Sequence, residues 1–355
     1  MKSNLKDTEF PKRNLGRWYS GIKRDLPWRE NKNPYSVWIS EIILQQTRVD
    51  QGLPYYNRFL ERFPTVSDLA RASEDEVLKL WEGLGYYSRA RNLHTTAKYV
   101  SNELKGEFPD NYDGLLALKG IGPYTASAIG SICFNLPVAA VDGNVYRVLS
   151  RYYGIQESID ESTIRKLITE LANGIVDVSD AGNHNQAMME LGATVCTPKS
   201  PKCGECPLKN SCIGFAENLQ LILPIRTKKT KVRERFFYYL IPIAKGHTLI
   251  RRRGEGDIWQ GLYEFEYVES EVRLQDAELL KALKIADKQV VISVSEEFEH
   301  ILSHQKLRAK FVTVKSENWS SELLMKVKLN NLANFAFPRL IRRYLEENFV
   351  IHKEV

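Results

Sequence analysis

The sequence predicts a mainly α domain followed by a smaller α/β domain. Up to about residue 222, short amphipathic segments are joined by glycine and proline turns with almost no two-residue alternation, which is typical of packed helices. From residue 235 onwards, several runs rich in β-branched and aromatic residues predict strands, and residues 338–349 predict a closing helix. We therefore assign residues 1–222 to a helical domain and residues 235–355 to an α/β domain.

The remaining residues, 223–234, are interpreted as a basic linker. The stretch RTKKTKVRER at 226–235 holds six basic residues and one acidic residue, which favours a solvated segment able to follow phosphates. The whole chain has 355 residues and a net charge of +6, which is compatible with a polyanionic partner. No segment is long and apolar enough to predict secretion or a membrane span. We expect a monomer in the cytoplasm, associated with the nucleoid, and no membrane partner.

Four cysteines lie within 17 residues, Cys196, Cys203, Cys206 and Cys212, with the spacing C-x6-C-x2-C-x5-C. The prolines and lysines between them give this loop no apolar core, so a metal centre must hold it. Zinc usually takes its thiolates from two C-x2-C pairs, and only one such pair is present. The spacing favours a [4Fe-4S] cluster, with zinc and disulfides as alternatives. The fifth cysteine, Cys133, is interpreted as a packed core residue.

A glycine turn separates two predicted helices in the middle of the helical region. Gly120 and Gly122 permit backbone angles that are closed to other residues, and Pro123 suits a first helical position. The free N–H groups of such a helix start can bind a phosphate without reading sequence. The pattern LxGIGxxTA over residues 118–126 resembles the helix–hairpin–helix DNA-binding motif.

Two carboxylates have the environments of an acid and an anion. Glu41 lies in a predicted helix that is apolar on both faces, so desolvation should favour its protonated form and suit it to general acid work. Asp142 precedes a predicted helix at 144–151, whose free N–H groups should keep it ionised. Glycosidic cleavage needs one group that protonates the leaving base and another that faces the sugar cation. The alternatives are a glutamate in an exposed notch and a purely structural helix cap.

Taken together, the glycine hairpin, the aspartate after it and the cysteine loop resemble the endonuclease III superfamily of DNA repair glycosylases over roughly residues 15–215. Strings such as LPWRENKNPYSVWISEIILQQTRV, WEGLGYYSRARNLH and VDGNVYRVLSR are similar to the MutY family of adenine DNA glycosylases. The resemblance implies a [4Fe-4S] cofactor and removal of adenine mispaired with 8-oxoguanine or guanine in double-stranded DNA.

The resemblance also implies roles for single residues. Glu41 would protonate N7 of adenine, and Asp142 would stabilise the oxocarbenium ion. Asn144 and Tyr124 would hold these carboxylates in place. The residues expected to contact the substrate are Trp28, Arg29 and Gln186 around the flipped adenine, and Gln46, Thr47, Leu84, Tyr86, Gly120 and Gly122 along the duplex. Bifunctional relatives carry a lysine where Tyr124 stands, and a phenol cannot form the Schiff base that leads to strand cleavage.

Residues 235–355 resemble the C-terminal domain of the same enzymes, which has the Nudix hydrolase fold and recognises 8-oxoguanine. The sequence lacks the glutamate-rich helix with which Nudix hydrolases bind magnesium, so pyrophosphate hydrolysis is not expected. The segment EHILSHQKL at 299–307 matches the loop that inspects the oxidised base, with Ser303 and His304 in the contact positions.

The sequence therefore predicts a monofunctional adenine DNA glycosylase: a helix–hairpin–helix glycosylase domain with an iron–sulfur loop, joined to a Nudix-like domain. One alternative is a bifunctional glycosylase/lyase acting on oxidised pyrimidines, against which Tyr124 and the added domain argue. A second is a non-catalytic iron–sulfur sensor that binds DNA.

Overall fold

The computed structural model describes residues 10–227, 232–285, 290–315 and 324–349. Contacts divide the chain into two compact units, Met1–Ala70 with Thr95–Lys228 and Arg71–His94 with Lys229–Val355. The segment Arg71–His94 therefore packs with the C-terminal part of the chain. The sequence predicts this segment as part of the helical domain, and it contains the helix Glu74–Leu80 and the start of the helix Ser88–Asn102. The domain boundaries from the sequence stay a prediction.

The part of the chain before residue 227 is helical, as the sequence predicts. In chain order its α-helices are α1 Lys12–Ile22, α2 Pro27–Glu30, α3 Pro34–Leu44, α4 Val49–Arg62, α5 Val66–Arg71, α6 Glu74–Leu80, α7 Ser88–Asn102, α8 Tyr112–Leu116, α9 Pro123–Phe134, α10 Gly143–Tyr152, α11 Ser162–Ile175, α12 Ala181–Thr194 and α13 Ile213–Ala216. Two 3₁₀ turns, Cys203–Glu205 and Lys209–Ser211, lie in the cysteine loop. None of the helices in the described ranges is long and apolar enough to cross a membrane.

Two apolar helices, α3 and α9, run through the interior of the first unit. Helix α3 is buried from Tyr35 to Ile43, and the Asn33 side chain caps its first N–H groups. Helix α9 is buried over residues 125–132 and packs against α3 and α12. A Cβ at Gly182 of α12 would lie 2.9 Å from the Ser131 carbonyl oxygen, so only glycine permits this approach. The packing brings the first turn of α9 to the middle of α3.

The second unit contains two sheets. Its described strands are β1 Arg233–Ile243, β2 His247–Arg252, β3 Tyr263–Glu264, β4 Glu266–Ser270, β5 Val290–Val294, β6 Phe298–Ile301, β7 Gln305–Lys315 and β8 Met325–Lys328. Strands β4, β1, β7 and β5 form one sheet in that order, with β6 also paired to β7, and β3, β2 and β8 form the other. Strands β1 and β7 run parallel, and the other described pairs are antiparallel.

Both faces of the larger sheet are covered. Helix α14, Asp276–Ala282, packs on one face, where Leu279 contacts the cluster that includes Tyr238 and Val312. Helix α15, Arg339–Asn348, lies on the other face, where the ring of Tyr344 stacks on Phe311 at 4.0 Å. Burial on two sides explains why β1 reads as a nearly continuous apolar run. A 3₁₀ segment, Leu329–Asn334, follows β8.

Candidate functional site

The first unit contains a cavity of about 1210 Å³. The sequence-predicted residues that line it are Trp28, Arg29, Glu41, Gln46, Thr47, Tyr124, Asp142, Asn144 and Gln186. These residues come from four separate stretches of sequence, and the packing of α3, α9, α10 and α12 brings them together. Both candidate carboxylates therefore face one cavity, which sequence reasoning alone could not establish.

Glu41 lies at the middle of α3 and is 9% exposed. The hydroxyl of Tyr124 donates a hydrogen bond of 2.6 Å to Glu41 Oε2 and also lies 3.3 Å from the sulfur of Met189. Burial raises the pKa of Glu41 to about 7, with the Tyr124 hydrogen bond opposing the rise and the charge of Asp142 adding to it. Near neutral pH this carboxyl group is therefore partly protonated and can donate a proton to a bound base.

Asp142 is the N-cap of α10. Its Oδ1 accepts hydrogen bonds from the backbone N–H groups of Asn144 at 2.9 Å and Val145 at 2.8 Å, and its Oδ2 accepts one from Asn144 Nδ2 at 2.7 Å. Burial raises the pKa of Asp142 above its ordinary value, while these hydrogen bonds and Arg147 act in the opposite direction. From the sequence, we expected the N–H groups at the helix start to keep Asp142 ionised. The three hydrogen bonds are present, but burial has the larger effect on the pKa of Asp142.

Arg147 links this cap to the cysteine loop and was not identified from the sequence. Its Nη2 donates to Asn144 Oδ1 at 2.8 Å and to the Gly192 carbonyl at 2.7 Å. Its Nε donates to the Cys196 carbonyl at 2.7 Å. The one signal in the sequence is the spacing, because Arg147 lies three residues after Asn144 on the same helix face.

A buried ion cluster forms another wall of the cavity. Glu190 is 1% exposed and accepts hydrogen bonds from Arg24 at 2.6 and 3.0 Å and from Arg29 at 2.8 Å. Burial raises the pKa of Glu190, but the two arginines outweigh burial and hold it below its ordinary value. Gln186, one turn earlier on α12, accepts a hydrogen bond from the Tyr19 hydroxyl at 3.3 Å. Sequence reasoning identified Arg29 and Gln186 and missed Arg24 and Glu190; the four-residue spacing from Gln186 to Glu190 was the available signal.

Several of the residues expected to contact the duplex lie in three turns with positive φ angles, at Gln46, at Gly83–Tyr86 and at Gly120. Gln46 has a φ of 64° and Tyr86 a φ of 47°. Both residues therefore have the left-handed backbone conformation, which residues other than glycine rarely adopt. In the hairpin, Gly120 has a φ of 80° and Gly122 is the N-cap of α9. Glycine is required at position 120 for this reason.

Tyr86 and Ser303 are hydrogen-bonded to each other through their hydroxyl groups. Both belong to the second unit, together with Leu84 and His304. Ser303 and His304 lie in the turn between β6 and β7, and the His304 carbonyl accepts a hydrogen bond of 3.0 Å from Arg233 N. Two candidate DNA contacts more than 200 residues apart in sequence therefore meet at one place.

The four clustered cysteines surround one small cavity of about 30 Å³, together with Arg151, Lys209 and Gln220. All four are free thiols, so the disulfide alternative is not what the fold contains. Arg151 is 2% exposed and donates to the Cys196 sulfur at 3.2 Å, which places a positive charge beside the cysteine sulfurs. Within the described ranges, no group of three or more His, Cys, Asp or Glu is arranged to hold a single metal ion. Four cysteines around one shared space, with the C-x6-C-x2-C-x5-C spacing, are the donor set that a [4Fe-4S] cluster takes.

Three regions of the chain match known protein families. Residues 39–173 match the HhH-GPD superfamily of base excision DNA repair proteins, residues 196–212 the iron–sulfur binding domain of endonuclease III, and residues 238–347 the NUDIX domain. The fold and the site thus define a base excision DNA repair protein of the helix–hairpin–helix class that carries an iron–sulfur cluster.

Individual relatives narrow this class. The adenine DNA glycosylase of Buchnera aphidicola subsp. Acyrthosiphon pisum is 33% identical over 333 residues, which cover 93% of this chain and 95% of the relative. The adenine DNA glycosylase of Rattus norvegicus is 45% identical over 219 residues, which cover 59% of this chain and 42% of the relative. The structure of a thermostable thymine-DNA glycosylase is similar with a TM-score of 0.53 and 28% identity, covering 58% of this chain and 95% of that one. The chain belongs to the adenine DNA glycosylase family.

Membership in this family makes the protein a DNA N-glycosylase that acts in base excision repair, with a [4Fe-4S] cluster as its cofactor. The predictions of fold class, enzyme class and cofactor are confirmed.

Proposed function

We propose that this protein is a monofunctional glycosylase that hydrolyses the N-glycosidic bond of adenine paired with 8-oxoguanine or guanine in double-stranded DNA. It acts as a monomer in the cytoplasm, at the nucleoid. The observation that carries the proposal is the placement of Glu41 and Asp142 on one cavity, with Tyr124 hydrogen-bonded to Glu41.

In the first step, Glu41 donates its proton to N7 of the flipped adenine. The base then leaves as a neutral molecule instead of an anion, which lowers the barrier to bond cleavage. The raised pKa of Glu41, about 7, keeps a useful fraction of this group protonated near neutral pH. Trp28 and the Arg29–Glu190 pair form the part of the cavity that receives the base.

In the second step, Asp142 stabilises the oxocarbenium ion that remains on the sugar. Its three hydrogen bonds favour the ionised form, and Asn144 holds its side chain against α10. Water then adds to C1′, releases one proton to the solvent and gives an abasic site. The sugar–phosphate backbone stays intact through this step.

The cavity lining favours hydrolysis over lyase chemistry. A lyase needs an amine that attacks the sugar and forms a Schiff base. Among the described residues that line the cavity there is no lysine, and Tyr124 occupies the hairpin position that holds lysine in bifunctional relatives.

The [4Fe-4S] cluster would be held by Cys196, Cys203, Cys206 and Cys212. When bound, it supplies structural cross-linking of the loop. The loop in turn presents Lys199, Lys202 and Lys209, which suit contacts to backbone phosphates. Arg147 and Arg151 connect the loop to α10 and hence to the Asp142 cap.

The opposite base is read by the second unit. Ser303 and His304 contact the 8-oxoguanine, and Tyr86 enters the duplex beside it; the Tyr86–Ser303 hydrogen bond supports this arrangement. We predict that replacing Ser303 and His304 with alanine lowers the preference for 8-oxoguanine over guanine opposite adenine. Single-turnover excision on the two duplexes measures this preference, and an unchanged ratio would remove the loop from recognition.

Product analysis tests the proposed reaction. A duplex with 8-oxoguanine opposite adenine is incubated with the holoenzyme, and one half of each sample is treated with alkali. Strand breaks that appear only after alkali are expected. Breaks without alkali would favour the lyase, and no breaks under either condition would favour a non-catalytic sensor.

A further inference from the structure

Polar contacts made by residues from Asp75 to Arg91 join the segment Arg71–His94 to the rest of the second unit. The Tyr263 hydroxyl donates to Asp75 at 2.8 Å, and Lys79 Nζ donates to the Phe335 carbonyl at 3.3 Å. Towards its end, Arg91 donates to the carbonyl of Gln260 at 2.6 Å. The turn that carries Tyr86 lies within this segment, between these contacts.

One ion pair in this attachment is buried. Arg342 donates to both carboxylate oxygens of Glu82, at 2.6 and 3.2 Å, and the two side chains are 7% and 14% exposed. Arg342 also donates to the Phe335 carbonyl at 2.6 Å and lies over the ring of Phe337. A second pair, Arg252 with Glu74, has the same charges and a length of 2.6 Å, but its side chains are 45% and 41% exposed. Buried, hydrogen-bonded pairs are costly to break, whereas exposed pairs contribute little.

Side chains of the same segment donate hydrogen bonds to the backbone between Glu82 and Tyr86. The indole N–H of Trp81, which is fully buried, donates to the Gly85 carbonyl at 3.1 Å. Arg89 donates to the carbonyls of Leu84 and Gly85, both at 3.3 Å. A displacement of Glu82 therefore moves the turn as a whole, and with it the Tyr86 hydroxyl that bonds to Ser303.

We infer that Glu82 and Arg342 are positioning residues for recognition of the opposite base, because they hold the Tyr86 turn against the Ser303 loop so that both act as one reader. The inference rests on the proposed reading of 8-oxoguanine by this unit. Glu41 and Asp142 belong to the other unit, so loosening the pair changes which mispair is preferred and leaves the excision chemistry intact.

The test compares Glu82→Gln with the matched control Glu74→Gln, each as full-length holoenzyme. Single-turnover excision is measured on duplexes with adenine opposite 8-oxoguanine and opposite guanine, and thermal unfolding and cluster absorbance report on folding. Arg342→Lys, which keeps the charge and loses the two-pronged contact, provides a second variant. We expect Glu82→Gln to lower the ratio of the two rates roughly tenfold, with the guanine duplex cleaved at the wild-type rate, and Glu74→Gln to leave the ratio unchanged.

Equal losses on both duplexes, or an unchanged ratio in Glu82→Gln and Arg342→Lys, would overturn the inference, since a merely destabilised enzyme loses both activities in parallel. A wild-type protein with no preference between the duplexes would instead contradict the proposed reading of 8-oxoguanine, and a wild-type protein that excises adenine from neither duplex would contradict the proposed function itself.

Discussion

At the scale of single residues, the chemistry depends on how the protein sets the acidity of one glutamate. Glu41 is desolvated by α3 and α9, which raises its pKa, and the Tyr124 hydroxyl limits that rise by donating to the ionised form. The charge of Asp142 raises the pKa of Glu41 further, and the charge of Arg29 lowers it. The balance leaves an acid that is poised near neutral pH, where proton donation is most effective.

The substitution Tyr124→Phe tests this balance. Removing the hydroxyl removes a hydrogen bond that lowers the pKa of Glu41, so the pKa of Glu41 should rise above about 7. Because the acid must be protonated, excision falls as pH rises through this pKa, and in the variant that fall should occur at higher pH. The pH profile of the single-turnover rate measures the shift. A midpoint that stays in place or moves to lower pH would show that Tyr124 does not control Glu41.

Burial of Glu41 and capping by Asp142 could be predicted from sequence because each depends on nearby residues in one helix. Their shared cavity could not be predicted, because it depends on how α3, α9 and α10 pack. Arg147 and Glu190 were missed for a related reason, since a charged residue on a helix is ordinarily solvent-exposed and only its partners reveal a buried role.

At the scale of elements, the crossing of α10 and α12 positions the Asp142 cap. A Cβ added at Gly192 would lie 2.5 Å from Asn144 Cβ and 3.0 Å from Asn144 Cα, so the two helices approach as closely as glycine allows. The same glycine offers its carbonyl to Arg147. Small displacements of α12 therefore act directly on the residue that holds Asp142.

Gly192→Ala should destabilise the protein by about 1–3 kcal/mol, because backbone and Cβ atoms of α10 must shift. It should also slow excision more than it weakens DNA binding, since Asn144 moves with the helix. The control is Gly174→Ala in α11, where a Cβ meets nothing within 4 Å and which should be neutral or stabilising by about 0.5–1 kcal/mol. Denaturant unfolding and single-turnover kinetics measure both effects. Equal behaviour of the two variants would contradict the close crossing.

The strands predicted from the sequence at 236–244, 247–253, 262–268, 289–295 and 307–314 correspond to β1, β2, β3 with β4, β5 and β7, but β6, β8 and α14 were not predicted. Strand β6 has four residues and α14 has seven, so neither is long enough to give a clear period. Strand β8 also has only four residues. Short elements of this kind depend on their neighbours in the sheet more than on their own sequence.

At the scale of the whole molecule, we assign excision of adenine and recognition of the opposite base to different units. The unit with α3, α9 and α10 holds the proposed excision residues and the cysteine loop, and the unit with Ser303 holds the candidate reader of the opposite base. Chain order alone assigned Tyr86 to the first of these. Contacts group it with the second, because Asp75 in α6 bonds to Tyr263 in β3 and Glu82, just after α6, bonds to Arg342 in α15.

Removal of iron should affect DNA binding more than the helical core. The cysteine loop packs on that core through Leu208, whereas its lysines Lys199, Lys202 and Lys209 are exposed on the loop. We expect apoprotein to keep most of its helical circular dichroism and to bind duplex DNA more weakly. The slope of log Kd against the logarithm of the salt concentration should decrease by roughly one to three, because about that many phosphate contacts are lost. An unchanged salt dependence would show that the loop makes no phosphate contacts.

The central claim is that Glu41 supplies the proton that releases adenine. The most direct measurement is single-turnover excision by Glu41→Gln on a duplex with 8-oxoguanine opposite adenine, with the Kd for the same duplex measured in parallel. The account predicts a Kd close to that of the wild type and a rate at least about a hundredfold lower, because the amide has the same shape and no acidic proton. A variant that binds normally and excises adenine at the wild-type rate would contradict it.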